Sequence, residues 1–217
     1  MITMNAATRP DSTELLVVRH GESEGNAEGR FGGHGPTPLT ERGRRQAERV
    51  AELIAGMEPT AVVSSDLSRA LSTAEVIAAR TGLTPVLDPG LRERCLGIFD
   101  GMSFAEVQER YPQEWARLAG RDLAYCPEGG EAIDDMYQRV TAAIDRMVAA
   151  HIGGRIVVVS HGIAIFHLFA HVTGLGSPGR GLQVFALVDN CSLSRFRHRD
   201  GRWLIRSLNE RHHLDGL

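Results

Sequence analysis

Short apolar runs that alternate with amphipathic stretches restrict the fold of this chain more than any other sequence feature. The run at residues 15–18 is apolar throughout, which is typical of a strand buried on both faces of a parallel sheet. Because stretches with helical spacing separate the runs, the pattern predicts β-α-β units with right-handed crossovers. The predicted strands are 15–18, 61–63, 84–87 and 156–159, and the predicted helices run from Thr40 to Gly56 and over about 67–79, 131–150 and 163–172.

Two segments lie outside this alternation. Residues 1–13 show no periodicity, so we expect a disordered leader followed by a single domain over residues 14–217. The segment at about 94–130 breaks the alternation and predicts an insertion. Within it, Ser103 and Glu106 have the spacing of a capping box, which predicts the start of a short helix.

The end of the chain has the pattern of β-structure. Arg199-Asp200-Gly201 is a hairpin signal between two apolar stretches. We therefore expect a three-layer α/β/α sandwich with a mostly parallel central sheet and a small inserted cap lobe. The predicted strands here are near 183–188, 193–197 and 203–207.

The composition excludes several classes of function. The 217-residue chain contains no lysine, so its 24 Lys+Arg residues are all arginine, and a P-loop, a lysine Schiff base and a lysine general base are excluded. A net charge of -3 gives no general attraction to nucleic acid or anionic lipid. No apolar run approaches the about 20 residues that cross a bilayer, and the three cysteines form no CxxC pair. We expect a cytoplasmic protein without nucleic-acid or membrane partners.

Two predicted strands end in nearly the same polar sequence. Residues 19–21 read Arg-His-Gly, and residues 160–162 read Ser-His-Gly. Ligands bind open parallel sheets outside the carboxyl ends of the strands, so we expect His20 and His161 to face one crevice. A third strand ends just before Arg69, which should point from the same edge of the sheet.

These residue types are suited to phosphoryl transfer. One histidine can be the nucleophile, while the arginines and the other histidine neutralise the charge on the equatorial oxygens. Guanidinium groups match phosphate geometry in a bidentate way. A nearby carboxylate could be the general acid, and the residues alone leave the choice between Glu93 and Asp100 open. The scheme requires no metal and no cofactor.

Four short motifs occur in order over about residues 14–210. They are Arg19-His20-Gly21-Glu22 with Asn26, Ser64-Ser65-Asp66-Leu67-Ser68-Arg69-Ala70 with Thr73-Ala74, Leu91-Arg92-Glu93 with Gly97 and Asp100-Gly101, and Ser160-His161-Gly162. Together these motifs resemble the histidine phosphatase superfamily, which is also called phosphoglycerate mutase-like.

The resemblance implies a role for each motif residue. His20 would be the nucleophile that is phosphorylated and then hydrolysed, and Glu93 would donate the proton to the leaving oxygen. Glu22 would order the loop and stay outside the catalytic set. The residues that would bind the phosphoryl group are Arg19, Arg69, His161, Asn26 and the backbone of Gly162.

Departures from the mutase pattern favour the phosphatase branch of the family. Cofactor-dependent mutases usually have a tryptophan before the asparagine, where this chain has Gly25, and a lysine that this chain lacks. Residues 126–131 read Cys-Pro-Glu-Gly-Gly-Glu in place of a proline-rich run. We expect a histidine acid-type phosphatase that hydrolyses a small phosphorylated metabolite without a metal. Mutase-type transfer and a non-catalytic phospholigand-binding domain are the alternatives.

The substrate itself is not readable from the sequence. The insertion and the loop at 30–35 should select it. Four aromatic residues could form an apolar wall or could pack inside the lobe: Phe104, Tyr111, Trp115 and Tyr125. Three arginines could contact a second anionic group, although solvated surface is the more ordinary expectation: Arg92, Arg94 and Arg121.

A metal site is a competing hypothesis. His167 and His171 have the i, i+4 spacing that can bind zinc, but the glutamate of HEXXH is absent. We therefore expect no metal. A homodimer through sheet edges or the C-terminal hairpin stays open.

Overall fold

The computed structural model describes residues 12–177 and 184–217. The strands are β1 (Thr13–Arg19), β2 (Ala61–Ser64), β3 (Pro85–Leu87), β4 (Arg155–Ser160), β5 (Leu193–Arg199) and β6 (Arg202–Glu210). The helices are α1 (Glu24–Ala27), α2 (Glu41–Ala55), α3 (Ser68–Thr81), α4 (Phe104–Arg110), α5 (Pro112–Ala119), α6 (Ile133–Ala150) and α7 (Gly162–Val172). Short 3₁₀ turns occupy Pro89–Leu91, Gly97–Phe99 and His212–Leu214.

In this part of the chain six strands form one sheet in the order β3-β2-β4-β1-β5-β6. The first four are parallel, and β5 and β6 extend the sheet as antiparallel strands. Arg19 at the end of β1 is paired with Ser160 at the end of β4. Because these neighbouring strands end in register, the residues that follow them emerge side by side at one edge of the sheet.

The sheet is buried on both faces by two separate apolar clusters. Leu15 and Val17 of β1 pack with α6 and α7, whereas Leu16 and Val18 pack with α2 and α3. Each of these β1 side chains is at most 1% exposed, and full burial of such a side chain contributes about 1.5–3 kcal/mol. The predicted three-layer sandwich with a mostly parallel sheet is confirmed.

The two helices on one face begin and end where the sequence predicts. Thr40 caps α2 by accepting a hydrogen bond from the Gly43 amide at 2.9 Å. Gly82 ends α3 with a φ of 73°, a left-handed conformation that glycine adopts without strain. Thr40 thus fixes the start of α2, and Gly82 fixes the end of α3 before β3 begins.

The insertion forms a small lobe with its own apolar cluster. Ser103 and Glu106 form the predicted capping box of α4, with bonds of 2.7 and 3.1 Å. Leu96, Phe99 and Val107 are the buried centre of the lobe. Helices α4 and α5 pack on one another there, so the lobe has an apolar core separate from those of the sheet.

Two predictions on strand and leader boundaries need correction. No strand forms over residues 184–188, and residue 183 lies outside the described residues. The apolar sequence suggested a strand, but the carbonyl of Val188 instead accepts a hydrogen bond from the Arg19 guanidinium at 2.6 Å. The leader prediction falls mostly on residues 1–11, which are not described, while Ser12 is buried and Thr13 already begins β1.

The described helices can also be compared with the thickness of a bilayer. None of those within residues 12–177 and 184–217 combines the length and the apolar character that crossing a membrane requires.

Candidate active site

The two histidines that follow β1 and β4 lie against each other. The ring centroids of His20 and His161 are 5.0 Å apart, with the ring planes inclined by 57°. His20 is 3% exposed and His161 is fully buried. Because the two strands end in register, the two rings lie next to each other at the carboxyl edge of the sheet.

The His20 ring is held in one tautomer. Its Nδ1 atom lies 2.8 Å from the carbonyl oxygen of Gly21, and because a carbonyl only accepts, Nδ1 carries the hydrogen and Nε2 keeps its lone pair. Burial lowers the pKa of His20 well below the ordinary value, and the nearby charges of Arg69 and Arg19 lower it further. The ring is thus a neutral base with Nε2 available for attack on an electrophile.

Close backbone packing holds the turn after His20. The Gly21 amide donates to the Thr73 hydroxyl at 3.0 Å, and that hydroxyl donates to the Arg69 carbonyl at 2.9 Å. A Cβ atom on Gly21 would lie 2.5 Å from the carbonyl oxygen of Gly43, so this position requires glycine. The His20 turn is therefore attached directly to α2 and α3.

His161 offers an unpaired donor. Its Nε2 atom lies 2.8 Å from the Ser65 hydroxyl, which accepts from the Leu67 amide at 3.3 Å. The hydroxyl proton can then go to Nε2, which leaves the hydrogen of His161 on Nδ1. That Nδ1 is buried and has no partner among the described residues. Burial, with His20 and the arginines as further causes, lowers the pKa of His161 well below the ordinary value.

Arg19 lies beside the same pair of rings. One Nη atom donates to the Val188 carbonyl, while the buried Nε finds no acceptor among residues 12–177 and 184–217. A Cβ atom on Gly162 would lie 3.9 Å from the Arg19 guanidinium carbon and 3.8 Å from Glu93 Oε2. Arg19 and Glu93 therefore both lie close to the same face of Gly162.

Arg69 fixes the loop at residues 33–37. It lies in the first turn of α3 and is 2% exposed. Its guanidinium donates to the Gly33 carbonyl at 2.8 Å and, more weakly, to the Gly35 carbonyl and the Thr37 hydroxyl at 3.4 Å. Burial lowers the pKa of Arg69 from its ordinary value, yet arginine stays charged at neutral pH. The site thus has two positive charges, one on the buried Arg69 and one on the partly buried Arg19.

Glu93 is held at the N-terminus of α7. Its Oε2 accepts the Ile163 amide at 3.2 Å and its Oε1 accepts the Arg94 amide at 2.9 Å. An orphan amide in the first turn of a helix favours a carboxylate. The Glu93 carbonyl in turn accepts from His34 Nε2 at 2.8 Å. Side chain and backbone are both fixed next to Gly162.

Asp100, the second carboxylate candidate, is a brace for the loops. Its Oδ2 accepts the His34 amide at 3.0 Å and its Oδ1 accepts the Leu96 amide at 2.9 Å. A Cβ atom on Gly33 would overlap this carboxylate. The hydrogen bonds of Asp100 thus join the 33–34 loop to the inserted lobe, whereas Glu93 lies next to Gly162.

Asn26 has a different neighbourhood from the one that its motif suggests. It is exposed on α1, and its Oδ1 accepts from the Ser23 amide at 3.3 Å and from Asn190 Nδ2 at 3.1 Å. Asn190 also donates to the His20 carbonyl at 2.9 Å. Asn190 belongs to no recognised motif, so sequence reasoning missed it. Glu22 binds the Thr40 hydroxyl at 2.8 Å, which fits a role in ordering the loop.

The substrate-selecting candidates from the insertion are largely engaged within the protein. Phe104, Tyr111, Trp115 and Tyr125 pack around the apolar cluster of the lobe, next to Phe31. Phe104 is the most accessible of these rings, with 42% exposure. The aromatic set therefore packs the lobe, and Phe104 also has surface available.

The three candidate arginines have separate partners. Arg92 pairs with Asp66 at 2.7 Å, and Arg121 lies over the Phe185 ring at 4.7 Å. Arg94 is 3% exposed and donates to the Glu131 and Tyr125 carbonyls at 2.9 and 2.6 Å. The expectation of solvated surface is wrong for Arg94, because its buried guanidinium donates to two backbone carbonyls.

The histidine pair on α7 forms no evident metal centre. His167 is fully buried, and His171 Nε2 lies 3.0 Å from Asp145 Oδ1. In the described part of the chain, no group of three or more His, Cys, Asp and Glu side chains could hold a metal ion.

Known proteins match this chain over most of its length. The family model of the histidine phosphatase superfamily (branch 1) matches residues 15–211. Phosphoglycerate mutase-like protein 4 of Arabidopsis thaliana is 39% identical over 209 residues, which are 94% of this chain and 88% of that protein.

Solved structures with this fold include phosphatases. A mycobacterial glucosyl-3-phosphoglycerate phosphatase has a TM-score of 0.81 at 32% identity, covering 92% of this chain and 100% of its own. The same phosphatase has been solved with inorganic phosphate. A structure from Escherichia coli, described as a putative alpha-ribazole-5'-P phosphatase, has a TM-score of 0.81 at 29% identity and covers 92% and 97% of the two chains.

Proposed function

The chain belongs to the histidine phosphatase superfamily, branch 1, and on that premise we propose that it hydrolyses a small phosphate monoester without a metal ion, through a phosphohistidine at His20. One observation carries this proposal. The neutral His20 ring, with Nε2 free, lies beside the His161 ring, the buried Arg69 and the partly buried Arg19. Phosphatases among the structural neighbours support the choice of hydrolysis.

The phosphoryl group would be bound as a dianion between Arg19, Arg69 and His161. The buried Nε of Arg19 and Nδ1 of His161 are donors without acceptors among the described residues, and phosphoryl oxygens would satisfy both. Positioned donors stabilise charge most where water is excluded. The same arginines would neutralise the charge that spreads over the equatorial oxygens in the transition state.

The first step transfers the phosphoryl group to the protein. The lone pair on His20 Nε2 attacks phosphorus, the N–P bond forms and the P–O bond to the leaving oxygen breaks. Glu93 is the proposed general acid: a proton passes from its carboxyl group to that oxygen, so the alcohol leaves neutral and Glu93 is left as a carboxylate. The position of Glu93 next to Gly162 and Arg19 supports this role.

The second step returns the protein to its starting state. A water molecule attacks the phosphohistidine, and the Glu93 carboxylate accepts its proton. The new P–O bond forms as the N–P bond breaks, which restores the neutral imidazole and releases inorganic phosphate. The sum of the two steps is ester plus water giving alcohol plus phosphate.

Mutase chemistry differs from this only in the acceptor, because a second substrate hydroxyl would take the place of water. The name of one relative, phosphoglycerate mutase-like protein 4, is consistent with this alternative. Gly25 and the absence of lysine favour water as the acceptor. A small phosphorylated metabolite as substrate and a cytoplasmic location belong to the same proposal. The latter is supported by three free cysteines.

The first experiment measures phosphate release from a panel of phosphorylated metabolites in excess EDTA. We expect release by the native protein and none by His20→Ala. His171→Ala alters a histidine in the last turn of α7, at the end away from His161, that is bonded to Asp145; this variant is the matched control and should retain activity. Phosphoglycerate interconversion without phosphate release would favour the mutase. Activity abolished by EDTA would contradict metal independence.

A further inference from the structure

Arg139, in the middle of α6, makes a set of hydrogen bonds that no sequence motif indicated. Nε and one Nη donate to the two carboxylate oxygens of Glu131, at 2.6 and 2.7 Å. The Nη atoms also donate to the carbonyls of Gly90 and Arg92 at 3.0 and 2.8 Å, and to the carbonyl of Glu93 at 2.9 Å. These bonds engage all five N–H groups that a guanidinium has.

The Glu131 carboxylate fixes the plane of this guanidinium. The bidentate pair holds Arg139 in one orientation, and both side chains are mostly buried, with 23% and 18% of their surfaces exposed. The remaining N–H groups are thereby aimed at the three carbonyls. Glu131 is held in turn, because its amide donates to the Cys95 carbonyl at 2.9 Å.

The three carbonyls belong to the turn that presents Glu93. Beyond Arg139, that turn is held by the Ser160 hydroxyl on the Leu91 carbonyl at 2.8 Å and by His34 on Glu93. Buried carbonyls without donors are costly, so loss of the guanidinium would allow the turn to move. A displacement of about 1 Å at a catalytic group can reduce a rate by about 100-fold.

We propose that Arg139 is a positioning residue that acts on catalysis through Glu93, and this inference rests on the proposed phosphatase function. Arg139 donates hydrogen bonds to the backbone of the turn that includes Glu93. None of these bonds reaches a side chain of the phosphoryl cradle, by which we mean Arg19, Arg69 and His161. The charge of Arg139 is also the least of the causes that lower the pKa of His161, but the hydrogen bonds place its principal effect on proton transfer to the leaving oxygen. Phosphoryl binding by Arg19, Arg69 and His161 should persist.

The test exploits the leaving group. An alkyl phosphate releases a strongly basic alkoxide that needs a proton, whereas 4-nitrophenyl phosphate releases a stable phenolate that does not. Hydrolysis of both esters is compared for the native protein, Glu93→Gln, Arg139→Gln and Arg139→Lys. Arg146→Gln is the matched control, because Arg146 lies on the same helix and pairs with Asp88 at the surface.

We expect Glu93→Gln to lose about 100-fold or more on the alkyl ester and far less on the nitrophenyl ester. Arg139→Gln should follow the same pattern with a loss of about 10- to 100-fold on the alkyl ester. Arg146→Gln should stay within about 2-fold on both, as surface changes usually do. Glu93→Gln combined with Arg139→Gln should be no worse than Glu93→Gln alone, because coupled residues are not additive.

Equal losses on both esters for Arg139→Gln would overturn the inference, since they would mean a general structural role. Should Arg139→Gln fail to fold, Glu131→Gln decides, because it removes the bidentate pairing but keeps the arginine. No hydrolysis of either ester by the native protein would overturn the proposed function, and the inference with it. Native hydrolysis with a leaving-group effect for Glu93→Gln alone would overturn only the inference.

Discussion

Nε2 of His161 and the hydroxyl oxygen of Ser65 are 2.8 Å apart, and this contact decides which ring nitrogen of His161 carries its hydrogen. The Leu67 amide donates to the same hydroxyl, which directs the hydroxyl proton toward Nε2. Nδ1 is then a donor beside the His20 ring.

Ser65→Ala should weaken phosphate binding because Nε2 can then hold the hydrogen and Nδ1 becomes an acceptor. A hydrogen bond to a charged group contributes about 1.5–3 kcal/mol, so the inhibition constant for inorganic phosphate should rise by roughly 10-fold or more. Ser64→Ala is the matched control, since the Ser64 hydroxyl donates to the Ser65 carbonyl and to no ring nitrogen of the described residues. Unchanged inhibition in Ser65→Ala would contradict the tautomer assignment.

His167→Leu should make the protein less sensitive to acid. Burial lowers the pKa of His167 to about 3, whereas an unfolded histidine has a pKa of about 6.5. Between these values the unfolded chain binds the proton and the folded chain does not, so the free energy of unfolding falls with falling pH by about 1.4 kcal/mol per unit. Leucine binds no proton, so His167→Leu does not lose this part of its stability as the pH falls.

Urea unfolding at several pH values between 4 and 7.5 measures the effect. The stability of His167→Leu relative to the native protein should increase steadily as the pH decreases below about 6.5. Both ring nitrogens of His167 are buried without partners in the described part of the chain, so leucine should also be tolerated at neutral pH. Parallel stability curves would contradict the prediction.

Gly43→Ala should destabilise the protein even though alanine is the better helix former. A Cβ atom at Gly43, in the first turn of α2, would overlap the backbone of Glu22, two residues after His20. Overpacking of this kind costs about 1–3 kcal/mol, and displacement of the His20 turn should lower kcat. Thermal unfolding and initial rates measure the two effects.

Gly56→Ala is the comparison for Gly43→Ala. It lies at the other end of the same helix with a φ of -65°, and a Cβ atom there would be 3.5 Å from its nearest neighbour, the Leu53 carbonyl. We expect a small effect on stability and none on rate. A destabilisation equal to that of Gly43→Ala would show that the close approach to Glu22 is not the cause.

The sequence predicted the layers of the fold because its signals there are local. Residues 15–18 are apolar throughout, and Thr40 and Gly82 mark helix ends through their own backbone chemistry. The similar sequences Arg-His-Gly after β1 and Ser-His-Gly after β4 correctly predicted that His20 and His161 lie at one edge of the sheet, because parallel strands in register end together.

Long-range contacts explain what the sequence could not predict. Residues 184–188 have the apolar sequence of a strand, but the Val188 carbonyl accepts a hydrogen bond from the Arg19 guanidinium. Arg94 is buried and Arg139 is mostly buried because carbonyls distant in the sequence accept their hydrogen bonds. Asn190 reaches the His20 carbonyl from far along the chain. None of these partners has a spacing or a periodicity that sequence inspection could detect.

The separate apolar core of the inserted lobe makes the protein modular. Leu96, Phe99 and Val107 pack with the lobe's own aromatic residues, apart from the clusters that bury the sheet. The phosphoryl cradle follows the ends of β1 and β4, together with Arg69 in the first turn of α3, outside that core. If the lobe selects the substrate, as the sequence predicts, selectivity and chemistry would reside in different packing units, and exchange of the α4–α5 region between relatives would change the substrate without altering the reaction.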